Sequence, residues 1–136
     1  MKLLIQTDGA SRGNPGAAAY GFIIYKDGEV LKKEGKTLGI TTNNIAEYTG
    51  LVKALEYLAN DVKPEDVVEL VIEADSQLMI RQLTGMYKVK NEGIKPLFNQ
   101  IKAMLTEYEN VEYKHIFREF NTEADLLGNL ALDGKI

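Results

Sequence analysis

Hydrophobic positions in this chain follow two rhythms, and the changes between them mark out its elements. Leu3-Leu4-Ile5 is a short apolar run that reads as a buried strand. Ala17 to Lys26, AAAYGFIIYK, is rich in aromatic and β-branched residues and suits a central strand. Asp27-Gly28 then gives a tight hairpin signal. Glu29 to Leu38 sets Val30, Leu31 and Leu38 among five charged residues, the pattern of a more exposed strand with Gly35 as a bulge position. Short turns join these three strands, so they pair antiparallel.

At Thr41-Thr42-Asn43-Asn44 the rhythm changes. These capping residues precede Ile45, Tyr48, Val52, Leu55 and Ala59, whose spacing predicts a helix of about four turns with Glu47 in its first turn. Lys63-Pro64-Glu65-Asp66 breaks that pattern, and Val67 to Ala74 is an apolar strand ending at Asp75. Ser76 can cap a short helix containing Leu78, Met79, Ile80 and Leu83, which Gly85 closes. After the polar connection MYKVKNEG, Ile94 to Tyr108 carries Ile94, Leu97, Ile101 and Leu105 at helical spacing. Val111 to Phe117 is the last strand and Thr122 to Leu132 the last helix, giving the order βββαβααβα. That order predicts an α/β protein with a mixed sheet, antiparallel on one side and parallel on the other, flanked by helices. No repeat or linker divides the 136 residues, so 1–136 reads as one domain.

Composition narrows the chemistry. With no cysteine, disulfides and thiolate metal sites are excluded, so any metal is held by oxygen ligands or by the single histidine, His115. The apolar run at the N-terminus is too short for a signal peptide or a membrane span, which reads as a soluble, cytoplasmic protein without membrane association. A formal charge of -4 counts weakly against nonspecific coating of nucleic acid, but bound cations can cancel acids gathered at a metal site. No apolar face is left over for an obligate protein partner, so the chain is expected to be a monomer.

The stretch Thr7 to Gly16, TDGASRGNPG, concentrates the candidate chemistry. Five of its ten residues are Gly, Asn or Pro, which suits a loop that turns sharply and approaches something bound. Asp8 stands where the first strand leaves the core. Asp75 also ends an apolar strand, and two such strands side by side bring both carboxylates to one sheet edge. Glu47 and Asp125, each on a helix, can reach the same point. Two carboxylates about 4 Å apart repel by roughly 4 kcal/mol at an effective dielectric of about 20, so four together require cations or protons. Magnesium prefers carboxylate oxygens and meets phosphate well. A pair of such ions can activate water and stabilise the leaving oxygen of a phosphodiester. Taken singly, each acid also fits a solvated surface, with Glu47 as a helix-dipole partner. Asn43 and Asn44 equally suit helix caps, and Asn14 a turn.

TDGASRGNPG, TTNNIAEYTGLVKAL around Glu47, EADSQL around Asp75, YKVKNEG, and NTEADLLGNLALD around Asp125 together resemble a type 1 ribonuclease H over essentially the whole chain. The resemblance implies the ribonuclease H-like fold, with a five-stranded mixed sheet of three antiparallel strands followed by parallel ones. It implies cleavage of the RNA strand of RNA/DNA hybrids, leaving 3′-hydroxyl and 5′-phosphate ends. Asp8, Glu47, Asp75 and Asp125 would be catalytic and would bind two Mg2+ ions, with Mn2+ able to substitute. Asp8 would bridge both ions, Glu47 would serve the leaving-group side, and Asp75 and Asp125 the side of the attacking water. Asn14, Asn43 and Asn44 match minor-groove motifs, where amides suit 2′-hydroxyls as both donor and acceptor. Thr42 and Asn91 match a pocket for a DNA-strand phosphate, and Gln77 can reach a base edge or sugar.

This sequence departs from the common pattern twice. A basic, tryptophan-containing insertion found in many members is missing, with only Arg81, Lys88, Lys90 and Lys95 in that interval, which resembles shorter archaeal and bacterial versions. Weaker and more salt-sensitive substrate binding is expected. The loop before Asp125 is short, HIFREFNTEAD. It places His115 in the last strand and leaves Arg118 as the cation able to meet substrate phosphate. The rival readings are a catalytically silent hybrid-binding module of the same fold and a structural domain whose acids bind calcium or stay solvated.

Overall fold

A computed structural model describes residues 1–136. Five strands form one sheet in the order β3-β2-β1-β4-β5. These are β1 (Lys2–Gly13), β2 (Gly16–Lys26), β3 (Glu29–Thr41), β4 (Glu69–Ala74) and β5 (Val111–His115). β1 to β3 pair antiparallel, whereas β4 joins β1 and β5 joins β4 in parallel. The helices are α1 (Asn43–Asp61), α2 (Gln77–Leu83), α3 (Lys95–Leu105) and α4 (Thr122–Leu132), with 3-10 turns at Pro64–Asp66 and Arg118–Phe120. No helix is long and apolar enough to cross a membrane.

The expected architecture is present, with several boundaries moved. β1 does not end at Ile5. It runs on through the predicted loop, paired with β2 as far as Gly13↔Gly16, so only Asn14 and Pro15 turn and Asp8 lies within a strand. β3 is likewise longer, and its bulges fall opposite the Ala18/Ala19 and Ile24/Tyr25 steps. Gly35 is not a bulge, being paired directly with Gly21. β4 begins at Glu69, because Val67 N closes the Pro64–Asp66 turn onto Pro64 O at 3.1 Å, and β5 stops before Phe117, which is exposed. α3 ends at Leu105 and does not reach Tyr108. α1 has 19 residues, about five turns, which places Glu47 beyond the first turn.

Two layers of packing hold the sheet. On one face α1 lays Tyr48, Leu51, Val52, Leu55 and Leu58 over Leu3, Ile5, Phe22, Leu70 and Ile72, all buried in one core cluster with Met79, Leu83 and Ile101. On the other face α4 crosses β2 and β3 through a glycine seam. A Cβ at Gly21 would strike the Ala124 carbonyl oxygen, and one at Gly35 the Leu127 carbonyl oxygen. Their lack of side chains is what lets the helix backbone lie against the sheet.

Candidate active site

Register brings the first two acids together. Thr7 pairs with Ala74 in the parallel β1–β4 ladder, so the next residue of each strand segment, Asp8 and Asp75, emerges at the same edge. Glu47 is delivered from the opposite side by α1. That helix lies so close to β1 that a Cβ on Gly9 would overlap the Glu47 backbone nitrogen. Carboxylate oxygens of Asp8, Glu47 and Asp75 all fall within 4.8 Å of one another. Asp125, in the first turn of α4, is near enough to Asp8 to raise its pKa, but it stands outside that trio and outside the cavity lining.

Burial and mutual repulsion set the charge of this cluster. Asp8 is 6% exposed, and its pKa is pushed up to about 8. Burial is the largest cause, followed by the charge of Asp75, the hydrogen bond with Asp125 and the charge of Glu47. Glu47 rises to about 7, again chiefly by burial and also through Asp75, while a hydrogen bond with the Ser76 side chain opposes the rise. The Asp8 carboxylate accepts one backbone hydrogen bond, from Gly9 N at 2.9 Å. Glu47 Oε2 is buried without a hydrogen-bond partner. Carboxylates that crowd each other, one of them buried and one oxygen left unpartnered, fit a hard divalent cation, which would favour their ionised forms and occupy the free oxygen.

An open cavity of about 370 Å³ leads to the cluster, lined by Asp8, Glu47 and Asp75 with Ser11, Asn43 and Arg118. Asn43 is held by the Ser11 hydroxyl, which donates to its Oδ1 at 2.7 Å, and Asn14 Oδ1 accepts from the Asn43 backbone N at 3.2 Å. The structure thus joins Asn14 and Asn43 at the cavity rim. Neither Asn43 nor Asn44 caps α1. Thr42 does, accepting from Ile45 N at 3.3 Å, while Asn44 is exposed and outside the lining. The Asn91 side chain accepts from Gly93 N and Ile94 N, and Gly93 packs against Ile45, so the Asn91 turn abuts the end of α1 that Thr42 caps. Gln77 is exposed at the start of α2 and does not line the cavity. Arg118 reaches the cavity and approaches Asp125 Oδ1 at 3.6 Å. His115 lies in β5, with its ring edge-on to Phe117 at 5.8 Å.

Ser11, Gly9 and Asn121 are contributions the sequence reading missed. Ser11 lay inside the motif and only its partner was hidden. Asn121 precedes α4, is fully buried and donates from Nδ2 to Thr7 O at 3.0 Å.

Sheet order, connectivity and the acidic cluster at the junction of β1, β4, α1 and α4 define an α/β protein of the ribonuclease H-like fold. A family model described as reverse transcriptase-like matches residues 6–131. Ribonuclease HI of Halobacterium salinarum is 39% identical over 127 residues, which cover 93% of this chain and 62% of that protein. Ribonuclease H of Ruthia magnifica subsp. Calyptogena magnifica is 34% identical over 146 residues, 97% of this chain and 96% of that one. The crystal structure of LC11-RNase H1 in complex with RNA/DNA hybrid superposes with a TM-score of 0.91 at 40% identity, covering 97% of each chain. The chain belongs to the ribonuclease H family, with type 1 enzymes among its structural neighbours. Against mycobacterial relatives that are 36% identical it spans only about a third of their length, 36%.

Proposed function

We propose that this protein is an endoribonuclease that hydrolyses the RNA strand of RNA/DNA hybrids, leaving 3′-hydroxyl and 5′-phosphate ends. The observation that carries the reading is the convergence of Asp8, Glu47 and Asp75 within 4.8 Å, with Asp125 near enough to raise the pKa of Asp8. These four side chains would hold Mg2+, two ions per site, with Mn2+ able to substitute. Bound divalent ions would supply Lewis acidity, lowering the pKa of attacking water and neutralising charge on the phosphate.

The remaining residues bind and orient substrate. Asn43, fixed by Ser11 and joined to Asn14, presents its free amide hydrogens toward 2′-hydroxyls of the RNA strand, and Asn44 extends the same edge. Thr42 and Asn91, at adjoining turns, would receive a phosphate of the DNA strand. Gln77 would meet a base edge or sugar. Arg118 would hold a substrate phosphate, its guanidinium being exposed and only loosely paired with Asp125 at 3.6 Å. Residues 1–136 would act as one domain, a reading their shared core supports, and as a monomer.

The test is cleavage of an end-labelled RNA/DNA hybrid by wild type and Asp8→Asn, with Mg2+, Mn2+ or chelator, and single-stranded RNA as control. Metal-dependent cutting of hybrid RNA alone, lost in the variant, is the expected result. Binding of hybrid without cutting would replace the enzyme with a silent binding module.

A further inference from the structure

Asn121 carries a pair of features that its position alone does not explain. It is the residue before α4, where an asparagine usually caps the helix by accepting from a backbone N–H. Here the side chain makes no such bond. It turns inward, 0% exposed, and donates from Nδ2 to the carbonyl oxygen of Thr7 at 3.0 Å. Its own Oδ1 is left buried with no partner. Forgoing a cap and burying a lone acceptor each destabilise the fold. An arrangement with two such costs calls for a compensating role.

The neighbours supply it. Thr7 immediately precedes Asp8 on β1. One turn along α4, Asp125 donates its backbone N–H to the Asn121 carbonyl oxygen at 3.2 Å. Asn121 therefore ties the strand of Asp8 to the helix of Asp125 through one hydrogen bond on each side. Against the sheet α4 lies backbone to backbone at Gly21 and Gly35, and its buried positions are Ala124, Gly128 and Ala131, small residues that interlock little. At the far end Arg12 pairs with Asp133 at 2.5 Å, but both side chains are about half exposed, at 52% and 41%, and such pairs hold weakly.

We infer that Asn121 is a positioning residue that sets the spacing of the Asp8 and Asp125 carboxylates by clipping the start of α4 to Thr7. The inference rests on the carboxylate cluster being a metal site. Removing the clip lets α4 slide on its glycine seam and misplaces Asp125, while the hybrid-facing residues Asn14, Asn43 and Asn44, on the β1–β2 turn and α1, stay where they are.

The experiment compares wild type, Asn121→Asp and Asn121→Ala with Ile101→Val, a core change on α3 that lowers stability away from α4. Mn2+ affinity is measured by calorimetry without nucleic acid, hybrid affinity by anisotropy in chelator, and cleavage as a single-turnover rate. The Asn121 variants are expected to lose about tenfold or more in Mn2+ affinity and in rate, with hybrid affinity within about twofold of wild type and Ile101→Val normal in all three. Asn121 variants that lose only melting temperature, as Ile101→Val does, would overturn the positioning role. Wild type that binds no Mn2+ would instead overturn the metal-site reading beneath it.

Discussion

Gly9 and Glu47 are in backbone contact. A methyl group added to Gly9 would overlap the Glu47 nitrogen and press on Ala46 Cβ at 2.8 Å. The closeness of that crossing is what puts a helix-borne carboxylate beside one borne on a strand. Gly9→Ala must push α1 off β1, and overpacking of this kind costs about 1 to 3 kcal/mol. Urea denaturation should show that loss. Mn2+ titration should show weaker binding than in wild type, because Glu47 moves with the helix. A variant of wild-type stability and affinity would mean that α1 tolerates displacement and that the crossing does not tune the site.

The raised pKa values of Asp8 and Glu47 give metal-free stability a definite slope with pH. Unfolded, these groups ionise near 3.8 and 4.5; folded, near 8 and 7. Between those limits the native state holds protons that the unfolded chain releases, so stability falls as pH rises from about 4 to about 8. In chelator, wild type should be less stable near pH 8.5 than near pH 5.5 by roughly 5 kcal/mol if the two shifts act independently. Asp8→Asn should melt higher than wild type at the upper pH, with a flatter profile, while losing cleavage. Added Mg2+ should restore wild-type stability at high pH and help Asp8→Asn less. A variant that melts at or below wild type across the range would argue against a crowded carboxylate cluster.

How far the sequence could be read depended on whether a residue's reason was local. α4 was legible to its ends, Thr122–Leu132, because its period and flanking polar residues are properties of that segment. So was the cap at Ser76, whose side chain accepts from Met79 N at 3.2 Å. The convergence of acids could be anticipated because Asp8 and Asp75 belong to strands that a mixed sheet sets side by side. Gly9 and Gly35 misled for one shared reason. Read locally, glycine suggests a loop or a bulge; here both lie in strands and make room for a helix backbone from another part of the chain. Asn121 was hidden in the same way, since its partner Thr7 is 114 positions distant.

Arg118 stands 3.6 Å from Asp125 with its side chain 79% exposed, so the pair adds little to stability. The role proposed for Arg118 is contact with a substrate phosphate. Arg118→Ala should leave the denaturation midpoint nearly unchanged, within about 0.5 kcal/mol. It should weaken hybrid binding or slow turnover, and reduce the slope of log affinity against log salt by about one, the signature of a lost phosphate contact. Unchanged turnover, affinity and salt slope together would remove Arg118 from the substrate contacts.

Inside the core, the Tyr48 hydroxyl donates to Gln82 Oε1 at 2.6 Å, linking α1 to α2 behind the site. Both residues are buried, at 1% and 8% exposure, and burial raises the Tyr48 pKa, which keeps the phenol protonated as the donor. Tyr48→Phe removes the donor but leaves the Gln82 amide desolvated, so it should cost about 1 to 3 kcal/mol. Replacing Gln82 with Met as well removes the stranded amide, and an apolar pair of similar volume should recover much of that loss. The double variant is therefore expected to be more stable than Tyr48→Phe alone, a non-additivity that chemical denaturation can read directly. Additive losses would show that the hydroxyl and the amide act independently, and that α1 and α2 are joined by apolar packing alone.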